Sequence, residues 1–212
     1  MKIRVLLADD HAVVRYGLRA LLELSGFQVV GEAGDGREAL RIAEEYQPDV
    51  AILDVAMPGL NGIEAAGVLR ERCPHTRIVI LSMHSDAEHV HRAFAAGASG
   101  YLLKGSASDE IVAAARAVLQ GRRYLSRELA HIDRARAERS DEPGPVDSLS
   151  ARERQVLQLV VEGHSSAGIA ALVNLSPKSV DTYRSRLMKK LGVSDVPALV
   201  KFAIQHGLTP AE

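Results

Sequence analysis

The sequence predicts two units of different class: a doubly wound α/β fold on a five-stranded parallel sheet, then a separate all-α unit of four helices. Three observations predict this. Short apolar runs rich in β-branched residues alternate with amphipathic stretches up to residue 121. A polar segment containing Pro143-Gly144-Pro145 follows. From Leu149 onward the apolar spacing is helical throughout. A chain of 212 residues has room for one or two domains at roughly 100–200 residues each.

The strands come first. Ile3–Ala8, Val29–Val30 with its neighbours, Val50–Leu53, Ile78–Leu81 and Tyr101–Leu103 are short and apolar, as strands buried on both faces are. Between and after them, Val13–Leu24, Gly36–Glu45, Gly62–Arg72, Ala87–Ala96 and Asp109–Leu119 show helical amphipathicity. Five strand–helix units with right-handed crossovers give a parallel sheet covered on both faces. The first unit therefore spans residues 1–121.

Residues 122–147 read as a linker. Arg-Ala-Arg-Ala-Glu-Arg at 134–139 precedes the Pro-Gly-Pro stop, which no helix continues. The stretch Ser126–Arg139 could form a polar helix. The last unit spans 148–212. Ser150 with Glu153 three residues on is a capping box for Ala151–Glu162, with Gly163 as C-terminal cap. Ser166–Val173 is a short helix. Ser176-Pro177 opens a longer one, with Ser as cap and Pro in the first turn, and Gly192 ends it after Leu191. Val196–His206 is the last.

Composition narrows the function classes. No apolar run approaches the roughly 20 residues of a membrane helix. The strand pattern begins at Ile3, which predicts no leader peptide. The single cysteine, Cys73, excludes an intramolecular disulfide and a cysteine-rich zinc site, and fits a reducing cytoplasm. Charge is uneven. Residues 1–121 carry 12 Lys/Arg against 16 Asp/Glu, residues 122–147 carry 6 of each, and residues 148–212 carry 8 against 5. An acidic front and a basic back suit two units with different partners.

In a doubly wound sheet, ligands bind beyond the carboxyl ends of the strands at the switch point. Asp9 and Asp10 end the first strand, Asp54 the third, Ser82 the fourth and Lys104 the fifth. Three close carboxylates repel one another, and a hard divalent cation such as Mg²⁺ removes that cost. The chemistry these groups suit is phosphoryl transfer to a carboxylate, with Mg²⁺ and Lys104 neutralising the phosphoryl oxygens. Taken singly, each residue has a plainer reading: Asp10 as a helix cap, Ser82 as a loop hydroxyl, Lys104 as a surface charge. Their joint placement at four strand ends carries the functional one. His11 and His84 border the pocket and read as loop residues, since no spaced His/Cys/Asp set suggests zinc. Gly31, Gly34 and Gly36 stand in the wrong order for a dinucleotide fingerprint and read as turns.

The motifs Leu7-Ala8-Asp9-Asp10-His11, Asp54-Val55-Ala56-Met57-Pro58-Gly59-Leu60-Asn61-Gly62, Leu81-Ser82-Met83-His84 and Gly100-Tyr101-Leu102-Leu103-Lys104 span this unit. They resemble the flavodoxin-like receiver domain of two-component response regulators. The resemblance implies that Asp54 is the phosphoacceptor. It implies that Asp10 binds Mg²⁺ directly, that Asp9 helps through water, and that Asp54 and the main-chain carbonyl of Ala56 complete the ligands. Ser82 would turn to the phosphoryl group, Tyr101 would change rotamer with it, and Lys104 would hold a phosphoryl oxygen. A sensor histidine kinase on another protein would be the donor.

Residues 164–191 read helix, short turn, helix. The second helix carries Lys178, Arg184, Arg186, Lys189 and Lys190 against one acid, Asp181, with Ser179, Thr182 and Ser185 among them. Val180, Leu187 and Leu191 recur at helical spacing and face the core. A solvated basic face is the plain reading; a helix for the DNA major groove is the functional one. The segments Leu149–Leu157 and Leu175–Val193 resemble the LuxR-type helix-turn-helix domain, and the whole chain is similar to the NarL/FixJ group. This implies a transcription regulator that pairs as a phosphorylation-dependent homodimer on promoter half-sites. One departure is Ala167-Gly168-Ile169-Ala170, where the family usually has Lys-Glu-Ile-Ala. Asp181, unable to pair with phosphate, would accept from a cytosine amino group.

Two rival readings compete with this one. A constitutive DNA-binding protein would not need the Asp9, Asp10, Asp54, Ser82 and Lys104 set. A Mg²⁺ phosphohydrolase acting through Asp54 needs an acid/base two residues on, where this chain has Ala56.

Overall fold

The computed structural model describes residues 2–106, 108–130, 132 and 148–206. The chain divides into two compact units, 1–140 and 141–212.

The first unit runs β1 (Arg4–Ala8), α1 (Ala12–Leu24), β2 (Gln28–Ala33), α2 (Gly36–Tyr46), β3 (Val50–Asp54), α3 (Gly62–Arg72), β4 (Arg77–Ser82), α4 (Ala87–Ala96), β5 (Gly100–Leu103), α5 (Ser108–Leu119) and β6 (Tyr124–Leu125). Sheet order is β2-β1-β3-β4-β5-β6, and every pairing is parallel. Successive strand residues point to opposite faces, so each strand feeds two cores. Leu6, Leu53, Ile80 and Tyr101 pack with residues of α2, α3 and α4 on one face. Leu7, Ile52, Leu81 and Leu102 pack with residues of α1 and α5 on the other. The order reverses between β1 and β3, and their register sets Ala8 opposite Leu53. Asp9 and Asp54 thus leave the sheet side by side at the switch point.

The sheet has one strand more than the five expected. Gly100 pairs with Tyr124 and Tyr101 with Leu125, inside the segment read as a linker. The helix expected over Ser126–Arg139 begins as a 3₁₀ turn, Arg127–Leu129, and Leu129 and Ile132 join the core. The linker reading therefore starts too early. Tyr124 and Leu125 are too short a run to show a period, and the Glu110 carboxylate holds them from a distance. It accepts from the Arg127 N–H at 2.8 Å and from Ser126 Oγ at 3.2 Å. Of the expected helix and linker, residues 131 and 133–147 lie outside the described residues.

The second unit holds α6 (Ala151–Val161), α7 (Ser166–Val173), α8 (Pro177–Leu191) and α9 (Val196–Gln205). The capping box forms: Ser150 N–H donates to Glu153 Oε2 at 2.8 Å, and Glu153 N–H to Ser150 Oγ at 3.2 Å. Ser176 caps α8 with Pro177 at its first position, and Gly192 stops it at φ +66°. Leu157, Ile169, Val180, Leu187 and Leu199 form the core, with Leu191 packed at its margin.

Candidate functional site

The pocket follows from strand ends. The Lys104 ammonium lies 2.9 Å from Asp9 Oδ2 and 2.9 Å from Asp54 Oδ2, and both carboxylates are 1% exposed. The Asp9 Oδ1 accepts from the His11 N–H at 2.9 Å. Asp10 is partly exposed, and His11 Nδ1 stands 2.6 Å from its Oδ1. Burial pushes the Asp54 carboxyl above its ordinary pKa, while Lys104 and the Ala56 N–H oppose that shift. Burial alone would lower the Lys104 pKa, but Asp54 and Asp9 outweigh it and hold the ammonium above its usual value.

The main chain keeps these groups at one edge. Lys104 N–H donates to the Ser82 carbonyl at 2.7 Å, tying the ends of β4 and β5. The Asn61 side chain caps α3 by accepting from the Glu64 N–H at 2.9 Å. At Gly62 a Cβ would stand 2.0 Å from the Asp54 carbonyl oxygen. Only glycine lets α3 start this close to the strand that carries Asp54.

The expected switch pair sits beside the pocket. Ser82 and Tyr101 are both fully buried. His84 bridges them: its N–H donates to Ser82 Oγ at 3.0 Å, and its carbonyl accepts from the Tyr101 hydroxyl at 2.8 Å. Burial pushes the Tyr101 phenol well above its ordinary pKa, with the Ser82 hydroxyl beside it working the other way.

Asp9, Asp10, His11 and Asp54 offer ligand atoms that all lie within 4.8 Å of one another. Three carboxylates against one ammonium leave excess negative charge in a half-buried pocket, and hard oxygen donors suit Mg²⁺. The residues therefore fit that ion. Sequence reasoning left His11 out of this group, since adjacency to Asp10 was its sole signal. It also missed Arg15, whose guanidinium donates to the Asp9 carbonyl at 2.5 Å. Arg15 lies on the first turns of α1, and only folding brings it back to β1.

On α8, Lys178, Asp181, Thr182, Ser185, Arg186 and Lys189 are exposed at spacings of three and four. They form one face. Among the expected contacts, Ser179, Asp181, Arg184 and Lys190 also bond within the unit. Arg184 donates to Ser166 Oγ at 3.0 Å, and Ser166 donates to Asp181 at 2.6 Å, which ties α7 to α8. Lys190 reaches Glu153 Oε2 at 2.7 Å and the Ser148 carbonyl at 3.2 Å, tying α8 to the start of α6. Ser179 is partly buried and accepts or donates at 2.9 Å with Ser176 in the cap.

An acidic pocket of hard oxygen donors at the switch point of one unit, and the basic helix α8 in the other, suit a protein that takes up a phosphoryl group and binds nucleic acid. Comparison with known proteins agrees. Residues 5–116 match the family described as response regulator receiver domain, and residues 147–203 match bacterial regulatory proteins, luxR family. The chain belongs to the two-component response regulators with a LuxR-type DNA-binding domain, which are transcription regulators of the NarL/FixJ group. It is similar to response regulator UvrY of Escherichia coli, 38% identical over 99% of this chain and 97% of that one. It is similar to response regulator GacA of Pseudomonas aeruginosa, 38% identical over 99% of each. Among solved structures, a LuxR-family two-component response regulator from Aurantimonas sp. is 42% identical at TM-score 0.62, covering 65% of this chain and 99% of that chain. A complex of the response regulator RcsB with DNA is 27% identical at TM-score 0.60, covering 95% of this chain and 98% of that chain. Among the described residues, no helix is long and apolar enough to cross a membrane.

Proposed function

We propose that Asp54 accepts a phosphoryl group from a phosphohistidine of a partner sensor kinase, and that this switches DNA binding by residues 148–212. The observation that carries the reading is the buried Asp54 carboxylate held 2.9 Å from Lys104 and beside Asp9 at the switch point. In the transfer, an Asp54 oxygen attacks phosphorus in line, the P–O bond forms, and the P–N bond to the donor imidazole breaks. Lys104 then shares its charge with a phosphoryl oxygen, which replaces part of its pairing to Asp54. Asp9, Asp10, Asp54 and the Ala56 carbonyl would hold Mg²⁺, which supplies positive charge for the phosphoryl oxygens. Ser82 must leave the His84 N–H to meet the new group, and Tyr101, bonded to the same His84, is positioned to follow.

The reaction stops at the phosphoaspartate. Ala56, two residues after Asp54, has no side-chain acid or base to turn over a substrate. On α8, the exposed Lys178, Arg186 and Lys189 would neutralise phosphates and the exposed polar face would meet base edges. Two-fold pairing of chains would set half-site spacing. An RcsB–DNA complex is among the similar structures, which supports duplex DNA as the second partner.

Intact-protein mass spectrometry after incubation with acetyl phosphate and Mg²⁺ tests this. One phosphoryl adduct is expected on the wild type and none on Asp54→Asn. Equal incorporation in both would refute the assignment of Asp54.

A further inference from the structure

The turn from β1 into α1 carries Asp9 and Asp10, and it lacks the hold that the next three helix starts have. The residues before α2, α3 and α4, namely Asp35, Asn61 and Asp86, each cap their helix with the side chain. His11, at the same position before α1, makes no side-chain cap. Two other bonds hold this turn. The His11 N–H donates to Asp9 Oδ1 at 2.9 Å, and the Arg15 guanidinium donates to the Asp9 carbonyl at 2.5 Å.

The second bond acts on Asp10. The peptide joining Asp9 to Asp10 is planar, so fixing its oxygen fixes the direction in which Asp10 leaves the sheet. Asp9 and Asp54 are buried against Lys104, which orients both. Asp10 is 25% exposed, and its close contact is the ring of His11, itself 64% exposed. The direction of Asp10 therefore depends on its main chain.

A plainer role for Arg15 is to tie α1 to β2 through Glu32. Arg19 already does this, with Nη1 2.6 Å from Glu32 Oε1 and Nε 3.1 Å from Glu23 Oε1. Arg15 Nε stands farther off, 3.7 Å from Glu32 Oε2. Glu32 thus steers the Arg15 guanidinium and offsets its charge, while the shorter bond goes to the main chain of the pocket.

We propose that Arg15 is a positioning residue for the divalent ion: it clamps the Asp9–Asp10 peptide and so holds the Asp10 carboxylate in the pocket. This rests on the reading of the acidic pocket as a Mg²⁺ site. Arg15 touches neither the ion nor the phosphoryl group. A carboxylate already aimed at the pocket saves the ion the ordering of a loose turn. Charge alone works the other way, since a cation near the pocket repels Mg²⁺. The sign of the effect therefore separates positioning from electrostatics.

The test is a Mg²⁺ titration of the full chain followed by its ¹⁵N–¹H amide shifts. Arg15→Met should weaken Mg²⁺ about tenfold, the scale on which outer-sphere partners of a metal matter. Arg19→Met also removes a cation paired to Glu32 but does not touch Asp9, and it should leave the affinity unchanged. Arg15→Lys keeps the charge, but its single nitrogen cannot serve the carbonyl and Glu32 together, so its affinity should fall between. It carries the test if circular dichroism shows Arg15→Met unfolded. In metal-free Arg15→Met the His11 amide should exchange with solvent faster than in the wild type. With acetyl phosphate, Arg15→Met should need more Mg²⁺ for its half-maximal rate and reach the wild-type rate at saturation. Wild-type or tighter affinity in a folded Arg15 variant, equal weakening in Arg19→Met, or a slow rate that Mg²⁺ does not restore would each overturn the proposal alone. No Mg²⁺ binding by the wild type would overturn it together with the reading of the pocket.

Discussion

Lys104→Met removes the cation shared by Asp9 and Asp54 and keeps most of the side-chain volume. Both carboxylates are 1% exposed, and the ammonium is 2.9 Å from each, so no bulk water takes its place. Removing one partner from a buried pair costs about 3–5 kcal/mol, a large share of the roughly 5–15 kcal/mol that holds a domain folded. The loss must depend on pH, and the sign follows from Asp54. Burial already raises its pKa with Lys104 present, and without Lys104 nothing of comparable strength opposes the shift. A carboxyl raised in the folded state adds stability below its unfolded pKa and loses it as pH rises through the folded value. The variant should therefore fall far below the wild type at neutral pH and approach it as the medium is acidified. Saturating Mg²⁺ should narrow the neutral-pH gap as well. Urea unfolding followed by circular dichroism, at neutral and at mildly acidic pH, reads the difference. The double variant Lys104→Met/Asp54→Asn should regain part of the loss, since one of the stranded charges is gone. A gap that ignores pH, Mg²⁺ and Asp54→Asn would refute the electrostatic reasoning and leave only lost packing.

Further outcomes follow from single positions. Gly62→Ala sets a Cβ 2.0 Å from the Asp54 carbonyl, so it should destabilise by about 1–3 kcal/mol and slow phosphoryl uptake, read by thermal melting and the mass assay. Gly168→Ala should do the opposite: its nearest neighbour would be Ser165 Oγ at 3.5 Å, so the gain is about 0.4–1 kcal/mol in the melting of the second unit. Lys189→Ala should reduce the slope of log affinity for DNA against log salt by about 0.9, whereas Lys190→Ala should lower stability and leave the slope in place. Glu153→Gln should cost about 1–2 kcal/mol at neutral pH. Burial raises the Glu153 carboxyl, but Lys190 and Ser150 outweigh it and hold it low. That stability is present above the unfolded value of about 4.3 and disappears as pH falls below it, so the two proteins should converge in acid.

The pocket was legible because its residues sit at strand ends, and strand ends are marked by the change from an apolar run to Asp9, Asp54, Ser82 or Lys104. In a parallel sheet those ends share one edge whatever the strand order. The capping of α6 and α8 was legible for a similar reason, since Ser150, Glu153, Ser176 and Pro177 act within one turn. What failed was reading by local pattern where the partner is distant. Tyr124 and Leu125 form a strand because β5 has an open edge and Glu110 receives the turn after it. Lys190 and Arg184 look like their exposed neighbours on α8, yet Glu153 and Ser166 take them out of that face.

Legible from residue pattern alone were the chain order of β1–β5 and of the helices, the division into two units, and the acidic and basic residue types. These depend on periodicity and on chemistry carried by single residues. Which charges meet is set by packing across the folded chain. The Lys104 ammonium selects Asp9 and Asp54, Arg15 returns to the Asp9 carbonyl, and two histidines either side of a helix start stack face to face. Such contacts depend on side-chain direction at the end of a folded path, and hydrophobic spacing carries no record of it.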